Sequence, residues 1–533
     1  MNDSVFRAES LPFYLAQILT HFSLDPTFAR LGTVFQSRHW NSIGLNVECG
    51  APSKCLVQVA QIHDGFFEPR TRPELKHGCF VTYKTRTHGL AHYQLLIMTP
   101  ETQIDVLVVG AVDTGPAGLM CALALARAGV HTRIVDKLPE RIKHGRADGL
   151  HVRTLEILQT YGLAERIIPL GHRLYTSVTY STDNPSGSLN RVGNKASTML
   201  MGGRYPFGIM VNQGIVEGVF REAMCETGRQ HGEMAYEYPA PSPPRQVRVE
   251  QGTSPVWMNY ESDFVDVHLR DSGGNLEAVR AKYVIGCDGA HSWVRSQLGY
   301  SMEGDHSNAV WGVIDTIPIT DFPDIRNHAW INAGQRKCQI IPRENGLVRF
   351  YVQLLEADTD SERFDRSKIK SKDIEEIAKE IFKPYKLEFP QRPQWWTVYI
   401  VGQRLATRYS ASRRVFLVGD ACMLRIAFMG IVTKTFAGHT HSPHAGQGMN
   451  AAIGDSHNLA WQLVHTLRGW TKPRLLDMYE RERRQYAHEL IEFDRKLSKV
   501  LASKSEKSSD SHQKYVARTL LSRFAAHSNG QGS

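Results

Sequence analysis

The sequence predicts an α/β fold in which a doubly wound, mainly parallel sheet is interrupted by a mainly antiparallel sheet. Residues 104–137 have the order strand, glycine-rich turn, helix, strand, which is that of a βαβ unit. Residues 283–286 and 414–418 are short apolar runs typical of strands buried on both faces. Between them, residues 305–400 alternate apolar and polar side chains, which favours antiparallel strands.

The βαβ unit has the features of a dinucleotide-binding site. Glycines 110, 115 and 118 would let the backbone approach a pyrophosphate, and the N-terminus of the next helix offers unpaired N–H groups. Asp136, where the second strand ends, is placed to accept hydrogen bonds from an adenosine ribose, and Lys137 is assigned to the same site. We therefore predict that Gly110, Gly115, Gly118, Asp136 and Lys137 bind cofactor.

The glycine fingerprint is interrupted. Val112-Asp113-Thr114 separates Gly110-Ala111 from GPAG, so GAGPAG results only when these three residues are removed. This stretch alone is therefore also compatible with an ordinary βα turn that binds no cofactor.

Composition narrows the function classes. The 533 residues suffice for about three domains, and 42% hydrophobic with 22% charged residues fit a globular protein with a large core. The formal net charge is +9, but no run of lysine and arginine is interleaved with aromatics, which argues against nucleic acid. We find no membrane-spanning apolar run and no secretory signal, and the eight scattered cysteines suit a reducing compartment, so a cytoplasmic protein is expected.

Other segments are assigned by pattern. Residues 1–97 keep no period and form an extension of uncertain structure, in which 11–19 could be helical. An amphipathic helix is predicted from residue 150, and Asp148 before it is either a helix cap or a functional acid. Helices are predicted at about 445–468 and 473–501, followed by a polar, serine-rich tail over 503–533.

Three separated stretches carry a family resemblance: the βαβ unit with Asp136, CDGAHSWVR at 287–295, and Gly419-Asp420 followed by HTHSPHAGQGMNAAIGDSHNLAWQL. In this order the chain resembles the single-component FAD-dependent aromatic hydroxylases, phenol 2-monooxygenase branch, from about 103 to 495. The resemblance implies FAD as cofactor, NADPH as co-substrate, and O2-dependent hydroxylation of a small phenol through a flavin C4a-hydroperoxide. A homodimer is a further expectation.

The resemblance also implies domain boundaries and cofactor contacts. An FAD-binding domain would comprise 98–171, 211–299 and 403–500, and a substrate-binding domain 172–210 and 300–402. The implied FAD contacts outside the βαβ unit lie in the loops and helix starts of the matching motifs. They are Arg153, Gln213, Asp288, Gly419, Asp420, Pro443 and Gly448.

The resemblance implies that Asp148 lies near the phenol hydroxyl and that Tyr351, with Arg349, faces the same pocket. Strand side chains alternate faces, so Arg349 and Tyr351 project together, although a surface cross-strand pair is the alternative. Arg343 is a weaker candidate. No metal site is expected, because the histidines at 439, 441 and 444 lie at the flavin approach.

The chain departs from the family pattern at two turns. Besides 112–114, sixteen residues, 423–438, separate GDAC from HTHSP. Each inserted segment ends at residues, Thr114-Gly115 and Phe436-Ala437-Gly438, whose codons can end in AG, as a splice acceptor does. We therefore hypothesise that one or both segments are unspliced or mis-spliced sequence. Sequencing the mature transcript tests this hypothesis. The family's C-terminal thioredoxin-like domain is not expected after the tail. Alternatives to the hydroxylase are therefore a fold-competent product with impaired FAD binding, or another flavoprotein oxidase.

Deleting residues 112–114 is expected to raise the FAD content of the purified protein, because extra residues prevent the turn N–H groups from converging on a phosphate. The insertion at 423–438 can bulge outward at a closure cost on the order of a few kcal/mol, so it should harm less. Flavin absorbance per chain measures both. Equal, stoichiometric FAD with and without 112–114 would contradict the prediction.

Overall fold

The computed structural model describes most of the chain between residues 30 and 502. The described residues are 30–37, 40–50, 54–61, 79–87, 90–98, 102–111, 116–141, 146–182, 184, 187–192, 196–197, 203–227, 246–334, 336–355, 368–426 and 447–502. The chain divides into two compact units. They are Met1–Gln103 with Pro255–Asn259 and Phe264–Ala281, and Ile104–Ser254 with Tyr260–Asp263 and Lys282–Ser533.

The strands, in chain order, are β1 Arg30–Ser37, β2 Trp40–Gly50, β3 Lys54–Gln61, β4 Cys79–Thr87, β5 Leu90–Met98, β6 Thr102–Val109, β7 Thr132–Asp136, β8 Gly149–Leu150, β9 His172–Leu174, β10 Thr176–Ser181, β11 Asn190–Arg191, β12 Ala196–Ser197, β13 Gly208–Met210, β14 Val249–Gln251, β15 Ser254–Tyr260, β16 Val265–Arg270, β17 Leu276–Gly286, β18 Met302–Thr316, β19 Ile319–Thr320, β20 His328–Ala333, β21 Arg336–Pro342, β22 Val348–Leu355, β23 Leu387–Glu388, β24 Trp395–Ala406, β25 Ser410–Ala411, β26 Val415–Leu417 and β27 Met423–Ile426. The α-helices are α1 Ala117–Arg127, α2 Val152–Thr160, α3 Ala164–Ile167, α4 Gln213–Glu226, α5 Trp293–Gln297, α6 Ser371–Phe382, α7 Gln447–Leu467 and α8 Asp477–Ala502.

The first unit contains a sheet that the sequence did not predict. Strands β1 to β5 form a five-stranded antiparallel sheet in the order β1-β2-β3-β5-β4. In the same unit, β16 pairs antiparallel with the first half of β17, from Val265↔Ala281 to Arg270↔Leu276. The helical segment suggested for 11–19 lies outside the described residues.

The second unit contains the predicted parallel sheet. β14, β7 and β6 run parallel in that order, and β26 pairs parallel with the end of β17. The apolar side chains of β6 are at most 5% exposed, and every residue from Ala117 to Ala126 in α1 is buried. A mostly apolar strand and helix of this kind are typical of the interior of an α/β layer structure.

The predicted antiparallel sheet is also present. Nine strands follow the order β11-β10-β20-β21-β22-β18-β24-β27, with β12 beside β10. The pair β10–β20 is parallel, and the other neighbouring strands of this sheet are antiparallel. Helix α6 covers one face through Ile374, which fills the space over Gly312. The predicted fold class, a doubly wound domain with an inserted antiparallel domain, is confirmed.

Two long C-terminal helices agree with the predicted segments. Helix α7 packs on α1, and the Ser456 hydroxyl donates to the Ala117 carbonyl at 2.8 Å. A 3-10 turn at Pro473–Leu476 precedes α8. No helix among the described ranges is both long enough and apolar enough to cross a membrane.

The start of the 423–438 insertion is an edge strand. Met423–Ile426, β27, pairs antiparallel with Gly402–Leu405 of β24. The chain therefore leaves the Gly419-Asp420 turn along the antiparallel sheet. Residues 427–438 and 112–114 lie outside the described residues.

Replacing Gly118 by alanine is expected to destabilise the protein by about 3 kcal/mol or more. A Cβ there would lie 1.9 Å from the Gly110 carbonyl oxygen, so α1 could no longer pack on the turn. Gly218→Ala is the matched control, because a Cβ at this helical glycine meets only Arg141 Nη1, at 3.6 Å. It should stabilise by about 0.5–1 kcal/mol. Urea unfolding monitored by circular dichroism measures both, and equal effects would contradict the prediction.

Candidate active site

Three strand ends meet at the N-terminus of α1. The Cys287 N–H donates to the Val109 carbonyl at 2.7 Å, and the Val418 N–H donates to the Gly286 carbonyl at 2.9 Å. Gly110 has a φ of +103°, and a Cβ there would lie 2.4 Å from the Cys287 carbonyl oxygen. The segments around 110, 288 and 419 are therefore adjacent, as the resemblance requires.

Asp136 binds the backbone of the first glycine turn. Its carboxylate accepts hydrogen bonds from the Ala111 N–H at 2.6 Å and the Leu138 N–H at 2.8 Å, and it is 3% exposed. Lys137 beside it is exposed. Asp136 thus holds the backbone that would face a pyrophosphate, and its contact with a ribose stays a prediction.

Asp288 caps a short helix. It accepts from the Ser292 hydroxyl at 2.5 Å and from the Trp293 and Val294 N–H groups at 2.7 and 3.0 Å. Burial raises the pKa of Asp288, and these donors oppose the shift. In the structure Asp288 therefore orders the loop that follows β17; a contact with cofactor stays a prediction.

The Gly419-Asp420 turn is held by an ion pair in which Asp455 is buried and Arg483 is partly exposed. The Gly419 N–H donates to Asp455 Oδ2 at 3.3 Å, while Arg483 Nε of α8 lies 2.5 Å from Asp455 Oδ1. The Cys422 thiol donates to the Gly419 carbonyl at 3.2 Å. Burial raises the pKa of Asp420 to about 6. None of these contacts involves residues 427–438.

Gln213 links helix α4 to the loop that carries Asp148. Its Oε1 accepts from the Ala147 N–H at 3.3 Å, and its Nε2 donates to Glu217 Oε1 at 2.8 Å. Burial raises the pKa of Glu217 to about 7. Among the described residues, Glu217 Oε2 and the Nε and Nη2 atoms of Arg221 are buried without a hydrogen-bond partner. Such orphaned groups fit a site that a polar cofactor would complete.

The remaining predicted cofactor residues are not all brought to this site. Arg153 is exposed and pairs with Glu156 at 3.2 Å. Gly448 lies in the first turn of α7. Gly115, Pro443 and the three histidines at 439, 441 and 444 lie outside the described residues.

Asp148, Arg349 and Tyr351 form a buried cluster. Arg349 Nη1 lies 3.3 Å from Asp148 Oδ2 and 3.4 Å from the Tyr351 hydroxyl. Asp148 and Arg349 are each 1% exposed and Tyr351 is 7% exposed. These two strand residues are therefore not a surface pair, and the structure brings all three predicted catalytic residues together.

Two acids and a second arginine complete the cluster. Asp315 lies opposite Arg349 in the β18–β22 register and binds it through Nε at 2.6 Å and Nη2 at 2.7 Å. Arg343 pairs with Glu344 at 2.9 Å and reaches within 3.6 Å of Asp148 and 3.4 Å of Asp315. Arg343, the weaker candidate, is thus as central as Arg349.

Burial and charge act in opposite directions on these acids. Burial raises the pKa of Asp148, although Arg349 and Arg343 oppose it, and Asp315 and Glu344 add to the rise. Burial also acts to raise the pKa of Asp315, but Arg349 and Arg343 outweigh it and the pKa falls. Of Asp148 and Asp315, Asp148 is therefore the acid that takes up a proton more readily.

The loop that carries Asp148 is fixed from several sides. Asn450 of α7 accepts from the His151 N–H at 2.9 Å and donates to the Gly149 carbonyl at 2.8 Å. From the other side, Arg349 Nη1 donates to the Arg146 carbonyl. An apolar cluster lies beside the acids and is rich in aromatic rings. It comprises Leu174, Met210, Trp311, Val313, Ile341 and Tyr351, with Trp395 and Tyr399 packed against it.

The sequence reasoning did not single out Asp315, Glu344, Asn450, Asp455 or Arg483. A signal existed for Asp315, because residues 311, 313 and 315 share one face of an alternating strand and place an acid among apolar side chains. Asp455 similarly lies one helical turn after Ala451 and Ala452 and one turn before Leu459. The pairing of these acids with distant arginines had no local signal.

Residues 103–494 match the family model described as "FAD binding domain". The chain belongs to this FAD-binding family. It is 37% identical over 407 residues to FAD-dependent monooxygenase ankC of Aspergillus thermomutatus, covering 74% of this chain and 62% of the relative. The 3-hydroxybenzoate 4-monooxygenase of Comamonas testosteroni is 35% identical over 417 residues, covering 75% and 60%. Phenol 2-monooxygenase fsqG of Aspergillus fumigatus is 32% identical over 403 residues, covering 74% and 60%.

The chain spans about three fifths of the length of these relatives. Among solved structures, the p-nitrophenol 4-monooxygenase PnpA from Pseudomonas putida DLL-E4 superposes with a TM-score of 0.58 at 20% identity, covering 80% of this chain and 96% of that one. PieE, solved in complex with FAD and substrate, gives 0.57 at 23% identity, covering 81% and 73%. The resemblance to FAD-dependent aromatic hydroxylases, inferred from the motifs, is confirmed.

Replacing Arg483 by methionine is expected to destabilise the protein by about 3–5 kcal/mol, because Asp455 is left as an unpaired buried carboxylate. FAD content should fall as well, since Asp455 holds the Gly419 turn. Arg484→Met is the matched control, because this neighbouring arginine of α8 is exposed. Thermal unfolding and flavin absorbance measure the effects. The same loss in both variants would contradict the role of the ion pair.

Proposed function

We propose that the chain is an FAD- and NADPH-dependent monooxygenase that hydroxylates a small phenolic substrate. Its motifs, the family match and the buried acid of the site support this proposal. When bound, the flavin supplies the redox and oxygen-activating chemistry, with electrons from NADPH. What the residues of this chain contribute is the orientation of the phenol and the handling of its hydroxyl proton.

One observation carries the proposal. Asp148 Oδ2 is buried near two guanidinium groups, yet among the described residues no donor is aligned on it for a hydrogen bond. A buried carboxylate oxygen that lacks a donor is costly, so it fits a ligand that brings one. A phenol hydroxyl is such a donor, and accepting its proton makes the ring a better nucleophile.

The neighbouring groups suit an aromatic ring. Tyr351, which interacts with Asp148 and Arg349, belongs to an apolar cluster that also contains Trp311, and aromatic pairs add to the binding that apolar burial provides. Arg349 holds Asp148 in place but has its guanidinium nitrogens engaged by Asp315, Arg146 and Asp148. Arg349 therefore positions the acid, and Asp148 and Tyr351 face the substrate.

FAD contacts by the motif residues, the domain boundaries, a homodimer and a cytoplasmic location stay predictions. The purified protein, supplied with FAD and NADPH, tests the function directly. Phenol, 3-hydroxybenzoate and 4-nitrophenol are suitable substrates, because similar proteins carry these phenols in their names. NADPH oxidation that rises with a phenol, with a hydroxylated product, supports the proposal. A colourless protein that takes up no FAD supports the impaired-binding alternative, and peroxide release without NADPH supports an oxidase.

Replacing Asp148 by asparagine is expected to lower the rate of phenol hydroxylation roughly 10²–10⁴-fold, because the proton acceptor is lost. FAD content should stay unchanged, since Asp148 touches the arginines and not the glycine turn. Product formation and flavin absorbance give the two readouts. Tyr351→Phe should cost less, because it removes one hydroxyl and keeps the ring. Hydroxylation by Asp148→Asn at the unaltered rate would rule out the proposed acceptor.

A further inference from the structure

The charges of the buried cluster do not balance. Two guanidinium groups, Arg343 and Arg349, face three carboxyl groups, Asp148, Asp315 and Glu344. All five side chains are at most 6% exposed, so solvent screens their charges little. A third arginine, Arg326, acts on Glu344, but its side chain is exposed and its charge is screened by solvent. A buried site of this kind lowers its energy by binding a proton on one acid.

The arginines are divided unequally between the acids. Asp315 takes two nitrogens of Arg349 in a bidentate pair at 2.6 and 2.7 Å, and Glu344 takes two nitrogens of Arg343 at 3.0 and 2.9 Å. Asp148 is left with the outer nitrogens, at 3.3 and 3.6 Å, and without an aligned hydrogen bond. Bidentate pairs are the stronger interaction.

We propose that Asp315 is a positioning residue that withholds the Arg349 charge from Asp148 and thereby keeps Asp148 basic enough to take the substrate proton. This inference rests on the proposed function. The proton moves from the phenol oxygen to Asp148 Oδ2, and no other bond changes. An Asp148 that held the full charge of both arginines would be a weak base, and the phenol would stay protonated.

Charged and titratable side chains act on Asp148 from the turn after β21 and from β18, β22 and β24. They are Arg343, Glu344, Asp315, Arg349, Tyr351 and Tyr399. On its own loop, the exposed Arg146 acts on Tyr399. Asp315 and Glu344 are the carboxyl groups among them, so they are the two residues whose neutralisation should release arginine charge to Asp148.

The test uses the full chain and phenol as the probe. Ionised Asp148 accepts the phenol hydroxyl, so phenol binding is lost as the pH falls through the pKa of Asp148. Asp315→Asn removes the acid that competes with Asp148 for the positive charge of Arg349, so the pKa of Asp148 should fall. The pH at which phenol binding is lost on the acid side should then move about one pH unit lower. Glu344→Gln should move this pH in the same direction, and it replaces Asp315→Asn in the test if that variant does not fold. Calorimetric titration with phenol across the acidic range measures this pH.

Asp324→Asn is the matched control. Asp324 is a buried acid that accepts from the Tyr180 hydroxyl at 2.8 Å, and it is not among the groups that face Asp148. Phenol binding by the Asp324→Asn variant should be lost at the same acidic pH as in the unaltered protein. An unchanged pH of loss in both Asp315→Asn and Glu344→Gln, or an equal shift in Asp324→Asn, would overturn the inference while leaving the hydroxylase assignment intact. Failure of the unaltered protein to bind phenol at any pH would overturn the proposed function, and this inference with it.

Discussion

Arg349 joins parts of the second unit that are far apart in the sequence. It lies on β22, pairs with Asp315 of β18, and donates to the Arg146 carbonyl of the loop that carries Asp148. A guanidinium group buried without partners would cost several kcal/mol. The strand pair and the loop therefore have to adopt the positions that satisfy its donors, and this requirement fixes Asp148 relative to the antiparallel sheet.

The parts of the fold that were predicted from the sequence are those written in local patterns. The apolar run of β6, the glycines at 110 and 118 and the alanine-rich α1 specify a βαβ unit through neighbouring residues alone. The shared face of Arg349 and Tyr351 follows from the two-residue period of a strand. The five-stranded sheet of β1 to β5 was missed, although β2 alternates apolar and other residues over 43–49.

The candidate site was predicted only in part, because its acids are paired across long stretches of chain. Asp315 meets Arg349 through strand register, and Asp455 meets Arg483 through the packing of α7 against α8. Nothing within a few residues of either acid names its partner. Arg153 shows the opposite case: a residue assigned by motif position whose side chain lies in solvent beside Glu156. Pairs of this kind are apparent only in the folded structure.

The loop from 146 to 151 is held by two helices and by the antiparallel sheet of the second unit. Helix α7 holds it through Asn450, and Gln213 holds the Ala147 N–H from α4. Arg349 holds the Arg146 carbonyl from the antiparallel sheet. Since Asp148 lies between these attachments, a displacement of α7 would move the acid without any direct contact.

The Gly419 turn is held by contacts from α7 and α8. The sequence inserted after Cys422 can therefore pair with β24 as β27 while the turn keeps these contacts. At the first glycine turn, the described contacts are the Ala111 N–H bond to Asp136, the Gly110 N–H bond to the Val135 carbonyl and the packing of Gly110 on Cys287. Residues 112–114 follow this turn at once, so we expect their insertion to disturb it more than the insertion after Cys422 disturbs the Gly419 turn. The geometry at Asp148 is secured by α7, α4 and β22, which neither insertion interrupts.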